Sequence, residues 1–464
     1  MSDRLASGSA RLDAILEGGL PLNGINLIMG RPGSGKTILA QQYLFHNATA
    51  ERPALYLSTV SEPLVKILRY GQSLSFFDKS VVGTDVIYED LGQSVNSGGL
   101  SAVLTKLIEL LREWHPALIV IDSFKALRAY APDEGSFRQF LHDLAGHLSA
   151  SAITSFWVGE YDRADATEAP EFAVADAIVS LGVEHNTDRE SLVFQVLKLR
   201  GSGFISGKHA YRVSRDGIDV FPRLADHADG DSYDFALERI SSGVSILDEM
   251  LADGYWRGAS TLVAGPSGAG KTLVALHFVF RGVELGEQGI FATFQENPMQ
   301  LERVAQGFSW SFAEREVELM FRPPVDLYLD EWVYHLLDLI EHTGAQRVAI
   351  DSLVDLRAAC GDEIRFREYM YSFLQRCARR NVSVIMTQEV PELFGITRLS
   401  EFGISHVSDN VVLLQFLRGD SEVKRAITVL KTRGSAHDPR IRQFEITSDG
   451  LSLGDQFLAD QSLA

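Results

Sequence analysis

Eight residues, Gly30-Arg31-Pro32-Gly33-Ser34-Gly35-Lys36-Thr37, follow the spacing G-x-x-x-x-G-K-[ST]. Gly265-Pro266-Ser267-Gly268-Ala269-Gly270-Lys271-Thr272 repeats it. A glycine-rich turn of this kind lets backbone N–H groups close around phosphate oxygens with no Cβ in the way. The lysine then reaches the outer phosphates, and the threonine hydroxyl can ligate a divalent cation. Ile38 and Leu273 stand in the first turn of the helices that should follow, whose positive ends point at the same oxygens. Asp122 and Asp351 each close a separate apolar run, "LIVID" and "RVAID", where a carboxylate can hold Mg²⁺ or its waters. These residues predict two sites for a nucleoside triphosphate with Mg²⁺.

Hydrolysis asks for one more group, a carboxylate that orients or deprotonates the attacking oxygen, worth on the order of a hundred- to ten-thousandfold in rate. After the second loop, Glu296 in "FATFQENP" offers it, preceded by Gln295. At the matching place in the first half stand Val60 and Ser61, with Glu62 one step later. One step along a strand reverses the side-chain direction, so Glu62 need not face the phosphate. The expected catalytic set is Glu296, Gln295, Lys271, Lys36 and Glu62, with Thr37, Asp122, Thr272, Asp351 and Glu296 around the metal. The two sites are not chemically equivalent.

The elements that must position these residues also come twice. "RLASGSARLDAIL", Arg4 to Leu16, matches "RISSGVSILDEML", Arg239 to Leu251, without a gap, and "VLKLRG" (Val196 to Gly201) answers "VLKTRG" (Val429 to Gly434). Landmarks repeated in one order mean tandem copies of a domain. The expected division is 1–223, an acidic linker over 224–236, and 237–464; the linker segment "LADHADGDSYDFA" has little apolar periodicity. "INLIMG" and "STLVAG" are apolar strands running into the loops, and Leu104, Leu107, Ile108, Leu111 and Trp114 recur at helical spacing before "LIVID". Helix feeding apolar strand is the pattern of a parallel sheet covered on both faces.

Composition narrows the function. The chain has 464 residues with a formal net charge of −19, and no dense Lys/Arg run. Such a surface repels phosphate backbones, which disfavours nucleic acid as a partner. Cys360 and Cys377 alone suggest reduced, buried thiols and a cytoplasmic protein. The opening "MSDRLASGSARLD" carries no apolar signal core, and no membrane span is expected.

With these residues in place the chain resembles the KaiC family, the double-domain branch of RecA-like ATPases. Beyond the ATP motifs, the resemblance is carried by "KLRG" and "KTRG", "FQENP", "FGISHVSDNVVLLQFL" and "RAITVLKTRGSAHDPRIRQFEIT". It implies an α/β fold of two tandem RecA-like P-loop domains, each a mostly parallel twisted sheet flanked by helices. It also implies a homohexamer of two stacked rings with ATP between neighbouring subunits. Lys198 and Arg200, like Lys431 and Arg433, sit two apart on an expected strand and would reach a neighbour's γ-phosphate. Ser435 and His437 look like further nucleotide contacts; Phe204 takes the matching place in the first copy. The family's paired glutamates are replaced by Gln295–Glu296 and by Val60–Ser61. The matching phosphoacceptor pair is Ser405 and His406, which leaves Ser405 as the acceptor and Ser408 as a second candidate.

The expectation is thus an oligomeric ATPase with Ser autokinase activity, acting on signalling partners the sequence does not identify. A nucleotide-gated scaffold with little catalysis and a DNA-acting RecA-like motor are the alternatives.

Overall fold

The computed structural model describes residues 4–59, 63–162, 165, 169–186, 189–224, 237–313, 317–391, 404–418, 422–448 and 450–456. Its internal contacts separate Met1–Arg223 from Leu224–Ala464.

In the first unit a two-stranded ribbon, β1 (Arg4–Leu5) with β2 (Leu20–Pro21), precedes a nine-stranded sheet. The strands of that sheet are β3 (Ile25–Gly30), β4 (Ala54–Ser58), β5 (Val86–Asp90), β6 (Leu118–Asp122) and β7 (Thr154–Gly159), then β8 (Ala177–Asn186), β9 (Arg189–Leu199), β10 (His209–Ser214) and β11 (Gly217–Phe221). Their spatial order is β5-β4-β6-β7-β3-β8-β9-β10-β11. Pairing is parallel from β5 to β8 and antiparallel from β8 to β11.

The parallel half is apolar on both faces. Leu27, Leu55, Leu57, Ile119 and Ile121 pack into one core, and the alternate residues Ile28, Tyr56 and Val120 pack into another. Helices 36–47, 92–114 and 134–150 cover these faces. On the long helix the buried residues are Val95, Leu100, Val103, Leu107, Leu110 and Leu111, so the buried stripe is rotated from the expected one; Leu104 and Trp114 lie at its border.

The second unit repeats the plan. A ribbon of β12 (Arg239–Ile240) and β13 (Tyr255–Trp256) precedes β14 (Ser260–Gly265), β15 (Gly289–Thr293), β16 (Val317–Phe321), β17 (Arg347–Asp351) and β18 (Ser383–Glu389). After these come β19 (Asn410–Arg418), β20 (Val423–Thr432), β21 (Arg442–Thr447) and β22 (Gly450–Gln456). The order β16-β15-β17-β18-β14-β19-β20-β21-β22 is that of the first sheet, strand for strand. Leu224, at the start of the expected linker, is 2% exposed and packs in the second unit's core. Residues 225–236 lie outside the described residues. Both cysteines are buried and free, as expected. Among the described residues no helix is long and apolar enough to cross a membrane.

Candidate functional site

In each sheet the central strand, β3 or β14, ends at the first glycine of a loop motif, Gly30 or Gly265. The loop then turns through left-handed glycines: Gly33 and Gly35 have φ of 77° and 89°, and Gly268 and Gly270 have 75° and 105°. A Cβ at Gly33 or Gly268 would meet nothing within 4 Å, so these glycines serve backbone conformation and approach from outside rather than packing. Gly35 and Gly270 cap helices 36–47 and 271–284, long enough for an N-terminal dipole aimed into the loop.

Two cavities open there. The first, about 970 Å³, is lined by Pro32, Gly33, Gly35, Lys36, Thr37 and Ile38 of the loop and by Asp122. The second, about 390 Å³, is lined by Ser267, Gly268, Gly270, Lys271, Thr272 and Leu273 of the loop, and by Asp351, Gln295 and Glu296. Lys36 donates to the Arg31 carbonyl at 2.8 Å, and Lys271 donates to the Pro266 carbonyl at 2.8 Å. Burial holds both ammonium groups below the usual lysine range, against the opposing pull of Glu160 and Asp122 on Lys36, and of Glu389 and Asp351 on Lys271. Thr37 donates to Asp122 Oδ2 at 2.7 Å and Thr272 to Asp351 Oδ2 at 2.6 Å. Ser34 and Ala269 are buried within their loops, and the Ser34 carbonyl accepts from Tyr211 at 2.7 Å.

The carboxylate expected at the second site lies among the described residues. Glu296 lines the second cavity, and its Oε2 is buried with no hydrogen-bond partner among the described residues. Burial first, and the Asp351 charge second, push its carboxyl above the usual range. The first site's counterparts, Val60, Ser61 and Glu62, lie outside the described residues. One carboxylate common to both sites was missed. Glu160 follows β7 and Glu389 ends β18, each beside the central strand; Glu389 pairs in register with Gly265, and both glutamates line their cavities.

The K-x-R pairs need a correction. β9 ends at Leu199 and β20 at Thr432, so Arg200 and Arg433 lie just past the strands rather than on them. Their N–H groups donate to the carbonyls of Asp176 and Asp409, at 2.9 and 3.0 Å, one position beyond the last pairs of the β8–β9 and β19–β20 ladders. The paired side chains nevertheless converge. Lys198 donates to the Phe172 carbonyl at 3.1 Å, and Arg200 to the Ala173 carbonyl at 3.3 Å. Lys431 donates to the Ser408 carbonyl at 2.6 Å, and Arg433 to the His406 carbonyl at 2.7 Å. Neither pair lines the cavity of its own copy.

Ser435 and His437 follow β20 outside regular structure and are half-buried, and the Ser435 hydroxyl has no partner among the described residues. Phe204 is half-buried and packs on the first unit's core. Ser405 belongs to the short helix Ile404–Val407, but its side chain is outside the described ones. Ser408 just beyond is fully buried, while His406 is exposed.

A parallel sheet that twice delivers a phosphate loop against an Asp-ended strand defines a tandem RecA-like P-loop protein. A family model described as "ATPase: KaiC" matches residues 5–225 and again 240–456. The chain belongs to this KaiC ATPase family. It is 29% identical to the "Circadian clock oscillator protein KaiC" of Picosynechococcus sp., over 96% of this chain and 88% of that one. It is likewise 29% identical to the protein of the same name from Rippkaea orientalis, over 96% and 87%. The corresponding protein of Thermostichus vulcanus is 28% identical over 96% and 88%.

Proposed function

We propose that both cavities bind ATP with Mg²⁺ at the interfaces of a hexamer, and that the second is the site of phosphoryl transfer to water and to Ser405. The observation that carries the reading is Glu296: a buried carboxylate oxygen without a partner among the described residues, lining the second cavity together with Lys271 and Thr272. The donors around each Thr–Asp pair are hard oxygens, which suit Mg²⁺. Thr37 with Asp122, and Thr272 with Asp351, would hold the ion, which neutralises charge on the phosphate oxygens.

The loop N–H groups and the helix N-terminus bind the phosphates, and Lys36 or Lys271 leaves its loop carbonyl for the outer phosphate. At the second site Glu296 takes the proton of the attacking water or serine hydroxyl. A bond forms from that oxygen to the γ-phosphorus, the bond from phosphorus to the bridging oxygen breaks, and ADP leaves. Gln295 lacks the basicity for this step. Because the K-x-R pairs do not line their own cavities, they serve a neighbouring chain's phosphate. The protein acts in signalling, with the first ring maintaining assembly and turning over slowly.

Incubation of the full chain with γ-labelled ATP and Mg²⁺ tests this. Released phosphate together with label on Ser405 is the expected result. Hexamers that hydrolyse ATP yet leave Ser405 unlabelled remove the kinase half of the reading. Assembly without hydrolysis or label favours the nucleotide-gated scaffold.

A further inference from the structure

The residue beside Glu296 is not idle. Gln295 Nε2 donates to both carboxylate oxygens of Asp355, at 3.1 and 3.2 Å, and the Ser352 hydroxyl donates to Asp355 Oδ2 at 3.1 Å. Asp355 is 9% exposed and stands on the helix Leu353–Cys360, which follows directly from the Asp351 strand. Gln295, Glu296, Ser352 and Asp355 all line the second cavity. An amide therefore ties the turn that carries Glu296 to a buried carboxylate on the element behind the metal-side aspartate.

The chain's internal repeat provides a comparison. Aligning Asp122 with Asp351, Ala126 takes the place of Asp355, and Val60–Ser61 takes the place of Gln295–Glu296. The amide, its carboxylate partner and the adjacent glutamate occur together in one copy and are replaced together in the other. A second glutamate at 295 could not make this contact, because an ionised carboxylate only accepts hydrogen bonds and would face another carboxylate across about 3 Å.

We propose that Gln295 and Asp355 form a clasp whose role is to hold the Glu296 carboxylate in place in the second cavity. Both are positioning residues. The clasp rests on the reading of Glu296 as the catalytic carboxylate. On this account the glutamine is the form that suits Asp355, rather than a weakened remnant of a carboxylate pair.

The test is a charge exchange in the full-length protein, using steady-state ATP hydrolysis and thermal melting without nucleotide. The turnover left in Glu296→Gln is subtracted as the contribution of the other site. Gln295→Glu is expected to lower second-site kcat by ~10-fold or more with KM for Mg-ATP within ~3-fold, since misplacing a catalytic group costs turnover more than binding. It should also lower the nucleotide-free Tm. Adding Asp355→Asn lets the amide and the carboxylate trade places, so kcat should return to within ~3-fold of the parent and Tm should recover. Gln295→Ala removes the amide without adding charge, should lower kcat by a smaller factor, and carries the test if the charged variant does not fold. Parent-like or faster turnover in Gln295→Glu, unchanged kcat in Gln295→Ala, or a double variant that regains Tm but not kcat overturns the clasp. Failure of the underlying reading shows separately, as unchanged hydrolysis in Glu296→Gln.

Discussion

Arg433→Ala is expected to cut turnover at the second site by about a thousandfold, the lower end of what an arginine reaching a transferring phosphoryl group supplies. The side chain is 56% exposed; it donates to the His406 carbonyl and pairs with Asp409 at 3.6 Å. It can meet a neighbour's phosphate without breaking a buried network. The change should spare folding, because an exposed ion pair contributes about 0–1 kcal/mol. Binding of a fluorescent ATP analogue to Lys271 and its loop should weaken far less than turnover does. Lys431→Ala should act in the same direction, and Arg433→Lys should rescue only in part because a point charge replaces a planar fork. Stopped assays of phosphate release, with analogue binding measured in parallel, separate the two effects. Turnover within threefold of the parent would remove Arg433 from the reaction.

Glu296→Gln is expected to slow hydrolysis and Ser405 labelling at the second site by on the order of a hundredfold or more, because the amide fills the same space but cannot take a proton. The pH dependence should follow. A base must be deprotonated, and burial holds the Glu296 carboxyl above its ordinary range. Turnover should therefore fall on acidification earlier than an ordinary glutamate would dictate, and this acid limb should vanish in Glu296→Gln. An acid limb that survives the substitution belongs to another group. Thr272→Ala should instead raise the Mg²⁺ requirement, since its hydroxyl meets Asp351 where the ion would sit.

The parts of the site that are local in sequence were legible before any coordinates. Both loops, the Asp122 and Asp351 strand ends, and the alternation of apolar strand and helix rest on short-range spacing, and the tandem fold follows from the repeat. Residues joined only by topology were not legible. Glu160 and Glu389 reach the cavities because β7 and β18 lie beside the central strands, an adjacency no spacing announces. The Gln295–Asp355 contact spans 60 residues, and an isolated glutamine carries no signal of its partner. The strand period placed Lys198 with Arg200, and Lys431 with Arg433, on common faces. Both arginines lie one residue past the ends of β9 and β20, their N–H groups still bonding the next residues of the partner strands, Asp176 and Asp409. The clasp also bears on how the altered glutamate pair is understood. Set against the family's paired glutamates Gln295 reads as a lost base; next to Asp355, a glutamate at 295 adds a like charge.

The central claim is that nucleotide sits between chains, and light scattering of the purified protein with Mg²⁺ tests it most directly. With a non-hydrolysable ATP analogue the account predicts particles of six times the 51.2 kDa chain mass, dissociating when the nucleotide is withdrawn. A monomer at micromolar concentration under both conditions would contradict it.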